Sequence, residues 1–289
     1  MSGATDLKTV RESELWRRLG EVDDPELDEP ITSMGFVERA EILENGTVEV
    51  DFRLPTYWCS PNFAFLMLNG IREAMENLSW RPVYRIRLHD HLMADEVNEG
   101  ISNGKSFTQI VGELANDCNL DELRNTFAGK AFKRRQEAVI LGLRERGLRD
   151  GEILGLDLAG LDEESCEDVE MATQKHRYRQ ALLKRYPDLK VDAPVFVTWE
   201  GVPILEENLK VYLRELSAIR INMEFNGVLC RGLKNTRYKE MEVIDGEPTL
   251  VDFIVGSVPA TAAPSPGTKR EATGKKSSSR QEEVKSCQN

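Results

Sequence analysis

An α+β chain in two parts is predicted by three observations. Alternating apolar residues flank Asn45-Gly46, a run of helix-spaced apolar residues covers about 61–78, and after residue 106 the pattern changes to long segments of helical period. The reading is a small N-terminal α+β domain at 1–105 (helix, β-hairpin, helix, strand), then a mostly helical domain with a small β element at 106–256. A disordered tail is expected at 257–289, where Pro, Ala, Ser, Thr, Lys and Gly leave too little apolar area to offset chain entropy.

Taken in order, Thr9 to Gly20 reads as a helix. Thr9 and Glu12 have capping-box spacing, Val10, Trp16 and Leu19 fall on roughly one face, and Gly20 stops it. An acidic loop, Glu21 to Pro30, follows. VERAEILE and TVEVDFRL then flank Asn45-Gly46, which predicts a hairpin closed by a two-residue type I′ turn. In its second strand Val48, Val50, Phe52 and Leu54 alternate with Glu49, Asp51 and Arg53, so one face is buried and the other wet. The turn PTYWCSP leads into the helix of about 61–78, with Phe63, Met67, Ile71, Ala74, Met75 and Leu78 inward. A third strand, PVYRIRLHDH, sets Tyr84, Ile86 and Leu88 opposite Arg85, Arg87 and His89.

The second part reads as helices at about 106–115, 121–146 and 163–186. After Pro187, VFVTW reads as a strand, EENLKVYLREL as a helix, and IRINMEF with VLCR as a second hairpin around Asn226-Gly227. FKRRQEAVILGLRERGLRDGEILGL has helix-turn-helix form, but packed helices are the plainer account in so acidic a chain.

Composition bounds the function. The 289 residues are 40% apolar and 30% charged, a globular balance. The net charge is −12, and because the last 33 residues hold six basic and three acidic groups, residues 1–256 carry −15. That disfavours nucleic acid, which needs a basic face. The longest wholly apolar run, FAFLML at 63–68, is far short of the roughly 20 residues that span a bilayer. MSGATDLKTVRE lacks the form of a secretory signal, so a cytoplasmic protein is expected. Cys59, Cys118, Cys166, Cys230 and Cys287 are odd in number and never paired as CxxC, which predicts reduced thiols; Cys118, Cys166 and Cys230 read as structural. No Gly-rich phosphate loop, nucleophile elbow or HExxH is present.

Cys59 is the first candidate for chemistry. Ser60 as N-cap and Pro61 as first helical residue set its sulfur just outside a helix N-terminus, where unpaired amides favour a thiolate able to act as metal ligand or nucleophile. The competing reading is an inert thiol packed on Trp58. The loop VDDPELDEP is the second candidate, against a plain solvated loop. His89 and His91 would point the same way if the strand continues, and so could face one ion; two surface histidines are the plainer account. His176 reads as part of a solvated helix face.

Over roughly the first 90–100 residues the sequence resembles the iron–sulfur cluster assembly domain shared by SufT-type and PaaD-type factors. Asp24, Pro25, Glu26 and Leu27 sit on its DPE-L motif, Met34, Gly35, Phe36 and Val37 on its Leu-Gly-Leu-Val stretch, and Thr56 and Cys59 on the threonine and cysteine of its turn. Pro55, Ser60 and HDHLMADEV depart from the pattern at a first threonine, at the proline after the cysteine, and after the third strand. The resemblance implies a maturation factor, not an enzyme in the turnover sense, that binds iron or a cluster transiently and delivers it to a client metalloprotein, an oxygenase being the candidate that the PaaD likeness suggests. Cys59 would be the metal ligand, with Asp24, Glu26 and Thr56 shaping the site. One cysteine cannot complete a cluster that takes four thiolates, so a client, a scaffold or carrier, or a second copy in a homodimer must supply the rest. The alternatives are an accessory module that stabilises a metalloenzyme subunit without touching iron, and a thiol enzyme using His89 or His91 as base.

Overall fold

The computed structural model describes residues 2–112, 119–165 and 168–238. The expected tail, and Cys118, Cys166 and Cys287, lie outside them. Helix α1 (Ser2–Leu19) starts earlier than predicted and turns a different face inward. Leu15 and Leu19, one turn apart, are buried, while Val10 and Trp16 are exposed. The acidic loop is more ordered than its composition implies: β1 (Asp23–Asp24) and β2 (Glu29–Pro30) pair antiparallel across it.

The main sheet has the order β3 (Val37–Ile42), β4 (Val48–Arg53), β5 (Tyr84–His89). The predicted hairpin is β3–β4, with Ile42 opposite Val48. Its turn is not type I′. Leu43 and Thr47 stay paired, Gly46 N–H donates to the Leu43 carbonyl at 2.9 Å, and of the loop residues only Gly46 has a positive φ, 83°. This is a three-residue loop of Glu44, Asn45 and Gly46, in which Asn45 accepts from the Thr47 amide at 3.0 Å instead of adopting a left-handed backbone. β4 and β5 run parallel, which requires a crossover. Helix α2 (Pro61–Glu76) supplies it and buries Ala64, Phe65, Met67, Leu68, Ile71, Ala74 and Met75. With Val48, Val50, Phe52, Ile86 and Leu88 these form the first hydrophobic cluster, completed by α3 (Ala94–Ser102) and α4 (Phe107–Val111). Asn98 ties α3 to the strand end through the Leu88 amide (2.7 Å) and carbonyl (3.0 Å).

The second cluster is helical. α5 (Leu120–Glu145) packs on α8 (Val169–Arg185) and α9 (Glu206–Tyr238), with α6 (Asp150–Leu154) and α7 (Leu158–Glu163) between. The helix expected over about 163–186 is α8, which starts later, at Val169, behind the N-cap Asp168 that accepts from the Met171 amide; α7 ends at Glu163, where the expected helix begins. Gly142 lets α5 approach α8 closely, since a Cβ there would lie 2.8 Å from Met171 Sδ. VFVTW contributes only the bridge Val197–Pro203. At the centre Gln136 donates to the Tyr178 hydroxyl and the Val197 carbonyl, both at 2.8 Å, Tyr178 donates to the Val195 carbonyl at 2.6 Å, and Tyr212 donates to Gln136 Oε1 at 2.7 Å.

The second predicted hairpin is not formed, because Asn226 and Gly227 lie inside α9. Leu209, Leu213, Leu216, Met223 and Lys234 are buried at helical intervals through the whole segment, so helical burial overrides the local turn signal. Gly227 serves a close approach instead: a Cβ there would lie 3.2 Å from Glu29 Oε1.

Candidate functional site

The turn bearing Cys59 begins where β4 ends, with Leu54 and Pro55 buried as its anchor. Cys59 N–H donates to the Thr56 carbonyl at 3.3 Å, and Thr56 Oγ1 lies 3.3 Å from Cys59 Sγ. Ser60 is the N-cap and Pro61 the first residue of α2, though the Ser60 side chain makes no cap hydrogen bond. The sulfur is half-buried, and Trp58 does not cover it: Trp58 is 76% exposed and packs edge-on against Tyr57, ring centroids 5.0 Å apart.

His91 holds this turn from behind. Its Nδ1 accepts from the Met93 amide at 3.2 Å, which leaves the proton on Nε2, and Nε2 donates to the Cys59 carbonyl at 2.8 Å. Only 4% of His91 is exposed, and burial pushes its pKa down, so the neutral ring is favoured. The two-histidine metal reading fails here. β5 stops at His89, Asp90 has φ +47°, and His89 Nε2 pairs instead with Asp51 Oδ1 at 2.8 Å. His91 is not a surface group either, and both of its nitrogens are spent on backbone.

The DPE-L loop is not solvated. Asp24 Oδ1 accepts from the Glu26 amide at 2.9 Å and the Leu27 amide at 3.0 Å, and Leu27 enters the first cluster. Despite those bonds, burial pushes the Asp24 carboxyl up to about 6. Asp28, 2% exposed with φ +55°, is gripped by the helical region. Arg135 donates to both of its carboxylate oxygens, Arg177 Nη2 donates to Oδ1 at 2.8 Å, and the Arg134 and Arg177 Nη1 groups donate to its carbonyl at 3.1 and 3.2 Å. Arg177 also pairs with Asp23. Arg134 and Arg135, part of the apparent helix-turn-helix, thus act within the chain.

Helix α9 completes the arrangement. Asn226 Nδ2 lies 3.5 Å from Glu26 Oε1, Arg231 pairs with Glu29 and reaches Met34 Sδ at 3.2 Å, and Lys234 pairs with Glu38 at 2.8 Å. Cys230, on the same face, packs half-buried against the first cluster, as Cys59 does. Burial pushes the Cys230 thiol up to about 11, and the neighbouring Asp24, Cys59 and Glu26 push it the same way. Thr56 thus stays on the Cys59 sulfur, and Cys230 lies within electrostatic reach of Asp24, Cys59 and Glu26. Cys230 stands 171 positions from Cys59 in sequence, without ligand spacing, so only the long-range packing of α9 reveals it. Among the described residues no group of three or more His, Cys, Asp or Glu side chains is arranged to hold a metal ion alone.

Comparison with known proteins bears on the N-terminal part of the chain. Residues 12–86 match a family model described as iron-sulfur cluster assembly protein. The match spans the DPE-L loop, the sheet as far as Ile86, and the Cys59 turn, and supports a general role in iron–sulfur cluster assembly. It stops before His91 and the helical region. No curated protein and no solved structure matches the chain. Among the described residues no helix is long and apolar enough to cross a membrane.

Proposed function

We propose that the chain is a maturation factor of the SufT and PaaD kind, which takes up iron or an iron–sulfur cluster as cargo on Cys59 and hands it to a client metalloprotein, an oxygenase being one such client. It acts by carrying rather than by turning a substrate over. The observation behind this reading is a half-buried thiol at the N-terminus of α2, inside a segment that matches the assembly family, with Thr56 Oγ1 beside the sulfur. The helix dipole offsets thiolate charge there, Asp24 and Glu26 shape the neighbouring wall, and His91 fixes the turn. A client or a cluster scaffold would supply the remaining ligands. Anaerobic reconstitution with iron and sulfide tests this: the wild type should retain both, and Cys59→Ala should lose most of them. Equal metal content in the two proteins would reject the carrier reading.

A second reading, an accessory module that steadies a metalloenzyme subunit without touching iron, is favoured by the exposed Tyr57–Trp58 pair, a suitable contact for a partner protein. It expects that same equality, with client stability lost in Trp58→Ala.

A further inference from the structure

We propose that Cys59 and Cys230 form one two-thiolate site for the cargo, assembled from both halves of the chain, with α9 delivering the second sulfur. This rests on the carrier reading above and gives it a ligand set that no part of the matched segment contains.

Asn226, Gly227, Cys230, Arg231 and Lys234 recur at three- and four-residue intervals and so share one face of α9. Each of the others is fixed against the assembly segment: Asn226 at Glu26, the bare Cα of Gly227 at Glu29, Arg231 at Glu29 and Met34, Lys234 at Glu38. Cys230 lies between these anchors and packs on the same apolar cluster as Cys59. Both thiols are free, and the carboxylates of Asp24 and Glu26 stand within electrostatic reach.

Soft sulfur ligands select thiophilic metals and iron–sulfur clusters over hard cations. Two thiolates are half of the four that a [2Fe–2S] cluster takes, enough to complete one iron and leave the other for an acceptor. On loading, each S–H bond breaks, its proton passes to solvent and its sulfur bonds the metal; the iron keeps its oxidation state. Transfer reverses these steps as acceptor thiolates displace Cys59 and Cys230. A structural Cys230 would pack the interface and bind nothing.

The test uses the full chain under anaerobic conditions with Co(II), which binds such sites more tightly than Fe(II) and reports thiolates by charge-transfer absorption. The Cys59→Ser/Cys230→Ser double variant measures what Cys118, Cys166 and Cys287 contribute. Above that background, Cys230→Ser and Cys59→Ser should each show about half the wild-type intensity or less. Cys230→Ala, with circular dichroism on every variant, separates lost binding from lost fold. X-ray absorption on Fe(II)-loaded wild type needs no variant and should count two sulfur neighbours. Full intensity in folded Cys230→Ser, or one sulfur per iron with Cys59→Ser empty, overturns the two-thiol site and leaves the carrier reading standing. Wild-type absorption no greater than that of the double variant overturns both.

Discussion

The assembly segment and the helical region hide their polar groups in opposite ways. In the helical core the buried groups satisfy one another: Gln136, Tyr178 and Tyr212 close a neutral hydrogen-bonded set with the Val195 and Val197 carbonyls, and the buried Glu137 of α5 pairs with Arg220 of α9. In the assembly segment they are carboxylates. Asp28 is compensated only from outside, by arginines of α5 and α8, and Asp24 by backbone amides alone. The helices thus act as a frame of counter-charge around the DPE-L loop, so the loop's geometry depends on residues more than 100 positions away.

The largest effect should come from breaking that frame. Asp28→Asn keeps a side chain that tolerates the left-handed backbone but leaves Arg135 and Arg177 partly buried beside a neutral amide. It should cost about 3–5 kcal/mol in urea unfolding. A loss under about 1 kcal/mol would mean that the loop does not need its cations.

Asp24 sharpens the same contrast with a sign that depends on pH. Its folded pKa, about 6, lies above the ordinary 3.8, so folding favours the protonated form. The group therefore costs nothing below pH 3.8, its penalty grows as pH rises, and it is complete above about 6. Two units correspond to about 3 kcal/mol. Asp24→Asn retains the acceptor for the Glu26 and Leu27 amides, so it should stabilise the protein by up to about 3 kcal/mol at neutral pH and hardly at all below pH 4. Denaturation curves of both proteins across that window check it, and a constant difference would contradict it.

Tyr178→Phe probes the neutral core. It strips the Val195 carbonyl of its donor and should cost about 1–3 kcal/mol, with no change between pH 4 and 7. A pH-dependent cost would erase the distinction between the two regions.

The smallest effect belongs to Gly227→Ala. Inside a helix the change gains up to about 1 kcal/mol, against a Cβ contact of 3.2 Å that the flexible end of Glu29 can relieve. A hairpin glycine at positive φ would instead lose stability, so thermal unfolding reads the sign directly.

These positions also show what the sequence made legible. Period-two alternation in β4 and β5 and the helical stripe of α2 are enforced by burial on one face, so hairpin, helix and strand could be read locally. The turn residues could not, because Asn-Gly serves a bulged three-residue loop at 44–46 and a helix interior at 226–227; distant packing decided each case. Cys59, Asp24, Glu26 and Thr56 were visible as a motif. Cys230 and the supporting roles of His91 and Arg135 were not, because each depends on a partner brought close by tertiary structure.

If Cys59 carries the cargo, that sulfur must be needed both to load it and to pass it on. The chain, loaded anaerobically with radioactive iron and sulfide, is mixed with an apo iron–sulfur protein, separated, and both fractions counted. Wild type should lose iron to the acceptor, while Cys59→Ser should neither load nor pass it. If Cys59→Ser matures the acceptor as fully as wild type, the sulfur is not the carrier.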